Sequence, residues 1–219
     1  MNPVVELKGV YKTYRDREVE TPALRGVDLV VERGEFTAIA GPSGSGKTTL
    51  LNIIGALDKP DQGQVAVDGV DLTELNPKEL ARFRLYKVGF VFQAYNLIEV
   101  FNALENAEFV LFLQGMPKSE RRRRAAEVLK ALGITEDMFK KRPNQLSGGQ
   151  QQRVAVARAL APNPAIILAD EPTANLDSET SARLLKLMRE MNERYGATFL
   201  FATHDPLVMS YARRVVHLR

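Results

Sequence analysis

The sequence contains no cysteine, which excludes disulfides and any cysteine-ligated metal centre and fits a reducing compartment. No apolar run approaches the roughly 18–20 residues that a membrane-spanning helix needs. The longest candidates, Phe109–Leu113 and Ala165–Ala169, are short, so the chain is expected not to cross a membrane by itself. The opening MNPVVELKGVYKTY lacks a basic segment followed by a long apolar one, and no signal peptide is evident. Charge of one sign is barely in excess: the formal net charge is +3, only a weak pointer to nucleic acid or anionic lipid. Internal repeats, low-complexity linkers and heptad stretches are also missing. What remains is 219 residues, 45% hydrophobic and 26% charged, an ordinary globular balance with room for one domain or a core carrying an insert.

The N-terminal third reads as strands. VVELKGVYKTY and ALRGVDLVV alternate apolar and polar residues, and Gly34 marks a turn before EFTAIAG. EFTAIAG is continuously apolar, as a buried parallel strand is. It runs into GPSGSGKTT and then LLNIIGAL, where Leu50, Ile53, Ile54 and Leu57 keep helical spacing. QVAVDGVDL and KVGFVFQ read as further strands, the latter ending at Gln93.

Strand, glycine loop and helix form the context that a phosphate loop requires. Gly41, Gly46, Lys47 and Thr48 match GxxxxGK[ST] within the stretch Gly41, Pro42, Ser43, Gly44, Ser45, Gly46, Lys47, Thr48, Thr49. The glycines let backbone amides wrap a phosphate group, and the helix start adds its positive dipole end. Lys47 is expected to neutralise the β- and γ-phosphates and Thr48 to ligate Mg²⁺. Asp170 and Glu171 follow the apolar run AIILA, at the carboxyl end of a strand where α/β sheets bind ligands. Asp170 is expected to hold Mg²⁺ through water, and Glu171 to act as general base on the attacking water. Taken alone, such a pair is more often a solvated turn; beside a phosphate loop the functional reading takes over.

Residues 94–160 read as helices inserted between two parts of an α/β core. In SERRRRAAEVLKALG the residues Ala125, Val128, Leu129 and Leu132 share one face, with Ser119 as N-cap and Gly133 as stop. Arg121–Arg124 then fall in the first turn, where positive charge opposes the helix dipole. That mild penalty points weakly to attraction toward anionic headgroups, against a solvated charged face. The core resumes with AIILADEP, a helix from about Ser178 to Tyr195, the strand ATFLFATH and an edge strand in RVVHLR.

LSGGQQQR, from Leu146 to Arg153, places Ser147 as a cap before Gly148, Gly149 and Gln150 at a helix start, a second anion site. With Tyr14, Gln93, Asp177 at the end of ANLD, and His204 in the same order, the sequence resembles an ABC transporter nucleotide-binding domain over nearly its whole length. The resemblance implies a P-loop NTPase core of the RecA-like α/β kind, with an N-terminal antiparallel β subdomain and an inserted α-helical subdomain. Residues 1–93 and about 161–219 would form the core with the antiparallel subdomain, and residues about 94–160 the insert. It also implies that Tyr14 stacks on adenine, that Gln93 touches Mg²⁺ and the water, and that His204 contacts the γ-phosphate. Asp177 would lie between two cassettes, while Ser147 and Gly149 would bind the γ-phosphate held by the opposite one. Singly, each has a plainer reading: Tyr14 as packing, Asp177 with Ser178 as a helix cap, His204 as structural.

KVGFVFQAYNLIEVFNALENAEFVLFL and LNIIGALDKPDQGQV are similar to the ATPases of lipoprotein-releasing (LolD-like) and macrolide-exporting (MacB-like) permeases. That branch includes antimicrobial-peptide resistance pumps and the cell-division ATPase FtsE. Ile98-Glu99-Val100, where many relatives carry proline, and the end at Arg219 depart from its pattern. The resemblance implies an ATP- and Mg²⁺-dependent ATPase, cytoplasmic and peripheral on the inner face of the cell membrane. It would form an ATP-dependent homodimer and drive an integral membrane permease, with no nucleic acid expected. Tyr95, Leu97, Ile98, Val100 and Phe101 would supply a groove for a short helix of the permease, or else pack inside the insert. A regulatory, non-transporting cassette of the cell-division kind stays open, as does a cassette acting on nucleic acid or the ribosome.

Overall fold

The computed structural model describes residues 3–16 and 19–219. Two sheets organise the chain. One is antiparallel, in the order β2 (Val19–Glu32), β1 (Pro3–Asp16), β4 (Gln62–Val67), β5 (Val70–Asp71). The other runs β6 (Val88–Val91), β7 (Ile166–Asp170), β8 (Phe199–Thr203), β3 (Phe36–Ala40), β9 (Arg214–His217), and all its pairings are parallel.

The parallel strands are continuously apolar because both of their faces are covered. On one side Ile39, Ile166, Leu168, Leu200 and Ala202 join a core with α1 (Lys47–Ile54), α2 (Pro77–Lys87) and the antiparallel sheet. On the other side Phe36, Ile167, Phe199 and Phe201 join the helices α3 (Ala103–Leu113), α4 (Lys118–Ala131), α5 (Gly148–Leu160) and α6 (Ser178–Tyr195). Residues alternate between the cores with the strand period of two. The Phe36 ring lies 5.4 Å from Phe199 and 4.7 Å from Phe201. Helices α3–α5 therefore share one continuous core with the sheet and α6.

Several sequence expectations change. Helix α1 ends at Ile54, so Leu57 lies beyond it and is half exposed. Helix α2 goes unread in the sequence because it buries only Leu80 and Phe83. Its signal is local: Asn76 accepts hydrogen bonds from the Lys78 and Glu79 amides, the Glu79 side chain returns the capping box, and Pro77 sits at the first helical position. The short helix α7 (Pro206–Tyr211), capped by Asp205, has the same kind of hidden start.

Helix α4 is capped at Pro117 rather than Ser119, which moves Arg121 beyond the first turn. Arg121 and Arg122 lie 3.2 and 3.6 Å from the buried Glu108 carboxylate of α3. Arg121 also stacks over Phe112, and Arg123 pairs with Glu127 one turn on. Arg121 and Arg122 thus meet the buried Glu108 carboxylate, while the Arg122 and Arg123 side chains remain largely exposed.

Candidate functional site

The phosphate loop sits between the end of β3 and the start of α1. Gly46 caps α1 at φ 94, and a Cβ there would meet the Ala23 carbonyl at 2.3 Å, so both backbone and space demand glycine. The Lys47 side chain is buried, with its ammonium donating to the Gly41 and Pro42 carbonyls at 2.7 and 2.9 Å. A cation is thereby held against two carbonyls of the loop itself. Ser45 Oγ is buried there without a partner.

A cleft of about 550 Å³ opens over this loop. Tyr14 forms one wall; Pro42, Ser43, Gly44, Gly46, Lys47, Thr48 and Thr49 form the floor; Gln93, Glu171 and His204 face them. Gly41 and Ser45 belong to the same loop behind that surface. The Tyr14 hydroxyl donates to Asp58 Oδ2 at 2.9 Å, and Lys12 bonds Asp58 Oδ1 while lying 5.3 Å from the Tyr14 ring. Burial alone would push the Asp58 carboxyl up, but Lys12, Tyr14 and the Lys59 amide outweigh it and hold it below its ordinary value. Tyr14 is thus fixed as a half-exposed ring at the edge of the cleft.

Asp170 ends β7. Burial raises its carboxyl above the ordinary value; Thr48 opposes that rise, the Glu171 charge adds to it and Lys47 opposes it. A desolvated carboxylate beside a phosphate-loop hydroxyl suits a hard cation. No group of three or more His, Cys, Asp or Glu is gathered as a metal cage among the described residues. Mg²⁺ needs none, since it keeps waters and takes substrate phosphate oxygens beside one or two carboxylates. Thr48, Asp170 and Gln93 fit that role.

Glu171 follows at φ 44, a left-handed conformation that is costly for glutamate and accumulates at functional sites. Its Oε2 accepts from Thr203 Oγ1 at 3.0 Å, and its Oε1 accepts from the His204 amide at 3.1 Å and faces His204 Nδ1 at 2.6 Å. Thr203 in turn accepts from the Asp205 amide, and Asp205 Oδ2 accepts from Thr173. The sequence reading missed Thr203, Thr173 and Asp205; the only local signal was their position beside Glu171 and His204. Glu171 and His204 also line a second cleft of about 360 Å³ reaching Thr173, Leu176 and Ser178.

The remaining expected residues stand apart from the phosphate cleft. Ser147 caps α5, accepting from the Gln150 amide at 3.2 Å while Gln150 Oε1 accepts from the Ser147 amide at 2.9 Å. Gly148 and Gly149 form the first turn, and a Cβ on Gly149 would come within 2.4 Å of Thr180 Cγ2. Asp177 caps α6 through the Thr180 amide and hydroxyl, which hold its carboxyl below the ordinary value. None of these five lines the cleft.

Tyr95, Leu97, Ile98, Val100 and Phe101 do not themselves line the apolar groove nearest them, which only Asn96 of that segment reaches. Leu97 packs on the helical core, Asn106 holds the Ile98 backbone, Phe101 packs on Phe109 and Val100 is 68% exposed. The apolar groove, about 420 Å³, runs between α2, β6 and α3, walled by Leu57, Leu85, Phe90, Phe92 and Val110. It forms there because α2, unread in the sequence, supplies one side.

Comparison with known proteins agrees with this geometry. The ABC transporter family matches residues 24–174. An uncharacterized ABC transporter ATP-binding protein of Methanocaldococcus jannaschii, MJ0796, is 49% identical over 219 residues, covering 99% of this chain and 93% of that one. The lipoprotein-releasing system ATP-binding protein LolD of Anaeromyxobacter dehalogenans is 48% identical over 217 residues, covering 99% and 90%. The macrolide export ATP-binding/permease protein MacB of Syntrophobacter fumaroxidans is 47% identical over 218 residues, which are 99% of this chain but 30% of that longer protein. A dimeric post-hydrolysis state of MJ0796 bound to ADP and Pi superposes with a TM-score of 0.89 over 98% of this chain and 94% of that one. The cassette cbiO1 of Clostridium perfringens, 31% identical, gives 0.89 over 100% and 86%. With its phosphate loop, its Asp170-Glu171 pair and its capped LSGGQ helix, the chain belongs to the ABC transporter family as an ATP-binding ATPase cassette.

Proposed function

We propose that this cassette is the motor of a membrane transporter and works as two copies closing head to tail around two ATP molecules. One observation carries the reading: the phosphate loop, Glu171 and His204 share one cleft, while Ser147, Gly149 and Asp177 lie outside it. A second copy related by a two-fold axis would bring its Ser147 hydroxyl and Gly149 amide to the γ-phosphate held by the first. The cassette MJ0796 is dimeric in its structures, which supports this arrangement.

In the closed site, Lys47 and the loop amides hold the β- and γ-phosphates, and Tyr14 stacks on adenine. Glu171 accepts a proton from water as the water oxygen bonds the γ-phosphorus and the bond to the β–γ bridging oxygen breaks, leaving ADP and phosphate. His204 steadies Glu171 through its backbone amide, and an N–H of its ring would donate to the γ-phosphate. Gln93 orients the water. Mg²⁺, held by Thr48, by Gln93 and through water by Asp170, would supply charge neutralisation on the phosphates.

The groove between α2, β6 and α3 is the dock for a short helix of the permease. Leu57, Leu85, Phe90, Phe92 and Val110 give it an apolar wall, and Leu57 is about half exposed there. The likeness to LolD and MacB favours lipoprotein release, or export of a lipid-like, peptide or macrolide substrate, from a position on the inner face of the cell membrane. Glu171→Gln keeps the shape and removes the base, so turnover should fall by about 10²–10⁴-fold while ATP still binds. Hydrolysis at the normal rate in that variant would sink the scheme.

A further inference from the structure

Gln152 is wholly buried in α5, little more than one turn beyond the Ser147 cap. Its Nε2 donates to the Pro172 carbonyl at 2.6 Å and to the Phe92 carbonyl at 3.3 Å. Pro172 immediately follows Glu171, and Phe92 immediately precedes Gln93. Those carbonyls lie just past the ends of the neighbouring parallel strands β7 and β6. A primary amide carries two hydrogens on one nitrogen, so this single side chain can serve both without bringing charge into the core. Its Oε1 is buried without a partner, so the donor end is the one the position uses.

Two further side chains fix the same loop. Arg158, also on α5, donates to the Tyr95 and Asn96 carbonyls, and Asn175 donates to the Gln93 carbonyl at 2.9 Å. Gln93 is therefore flanked by backbone pinned to α5, and Glu171, at φ 44, has its next carbonyl pinned to the same helix. Gln152 is 0% exposed and takes no part in lining the phosphate cleft, so it cannot touch nucleotide.

We infer that Gln152 is a positioning residue that sets Glu171 and Gln93 in register with the helix that presents Ser147. Displacement of α5 then moves the groups around the attacking water, and hydrolysis becomes sensitive to where the Ser147 helix sits. The inference rests on the reading of Glu171 and Gln93 as the groups that meet the water.

The test uses the full chain with Gln152→Glu, the volume-matched apolar Gln152→Met, and Glu171→Gln alongside. ATP affinity, kcat, KM and the folded fraction are measured together, at a temperature where each variant is folded. Both Gln152 variants should lose about tenfold in kcat, the value of one hydrogen bond, while KM and ATP affinity stay within about twofold. Gln152→Glu carries its own signature. As a carboxylate it offers the two carbonyls no donor, and in its buried site its pKa is raised, so acid restores an O–H for Pro172. Its kcat relative to the parent chain should rise several-fold between about pH 8.5 and about pH 6, and that of Gln152→Met should not. If Gln152→Glu does not fold, Gln152→Met is read alone on the kcat and KM split. Unchanged kcat in the folded variants, a loss confined to KM, or a flat ratio across pH would overturn the inference while Glu171→Gln stays inactive. An active Glu171→Gln would instead overturn the reading beneath it.

Discussion

Thr203→Val is the sharpest probe of how Glu171 is held. Thr203 is fully buried at the end of β8, so valine matches its shape and leaves the strand intact. The substitution removes the hydroxyl that donates to Glu171 Oε2 at 3.0 Å and that accepts from the Asp205 amide at 2.9 Å. Glu171 Oε1 keeps the His204 amide and ring, so one anchor of the carboxylate is lost and the others remain. A hydrogen bond to a charged group contributes about 1.5–3 kcal/mol. Taking the lower end, because two contacts survive, kcat should fall about tenfold. The Asp205 amide also loses its acceptor, at about 1–2 kcal/mol of stability, which lowers the melting temperature by about 2–8 °C in a chain of this length. Steady-state phosphate release against ATP concentration separates the effects: kcat should drop with KM unchanged, and Thr203→Ser should restore most of it. An unchanged kcat in Thr203→Val, a loss confined to KM, or a serine variant as poor as valine would refute the reasoning.

Two further outcomes test the scaffold. Asp68 is paired with both Arg33 and Lys87; burial pushes its carboxyl up, but those two cations outweigh burial and hold it below the ordinary value. A depressed pKa stabilises the fold above the unfolded value of about 3.9 and loses that contribution as pH falls below it. Asp68→Asn should therefore cost about 1 kcal/mol at pH 7 in urea titrations, and the gap to the parent chain should close below about pH 4. Arg121→Ala, which strips the nearer cation from buried Glu108, should cost about 1.5–3 kcal/mol. Arg124→Ala should stay within about 0.5 kcal/mol, and equal effects at the two positions would contradict the pairing described.

The parallel strands were legible because burial on both faces leaves continuous apolar runs, and the phosphate loop because strand, loop and helix are contiguous in sequence. Helix α2 was not legible, since Leu80 and Phe83 are too few to make a stripe; only Asn76, Pro77 and Glu79 marked its start. The true start of α4 was hidden because Pro117, a poor cap by side chain, precedes the better-looking Ser119. The supports of the site were hidden for another reason. Thr203 and Glu171 are 32 residues apart, and Gln152 and Phe92 are 60 apart; the order of β7 and β8 in the sheet joins the first pair, and packing of α5 on the end of β6 the second. Motifs carry the groups proposed to touch nucleotide, whereas the side chains that hold those groups are set by tertiary contacts that no local pattern records.

The central claim is that the phosphate cleft of one chain is completed by Ser147 of another. Sedimentation of Glu171→Gln with and without ATP, repeated with Ser147→Arg added, tests it most directly. Monomers are expected without nucleotide, a dimer of twice the chain mass holding two ATP molecules when ATP is present, and a return to ATP-bound monomers once Ser147 is replaced. Glu171→Gln that remains monomeric with ATP, or an ATP-dependent dimer indifferent to Ser147→Arg, would contradict it.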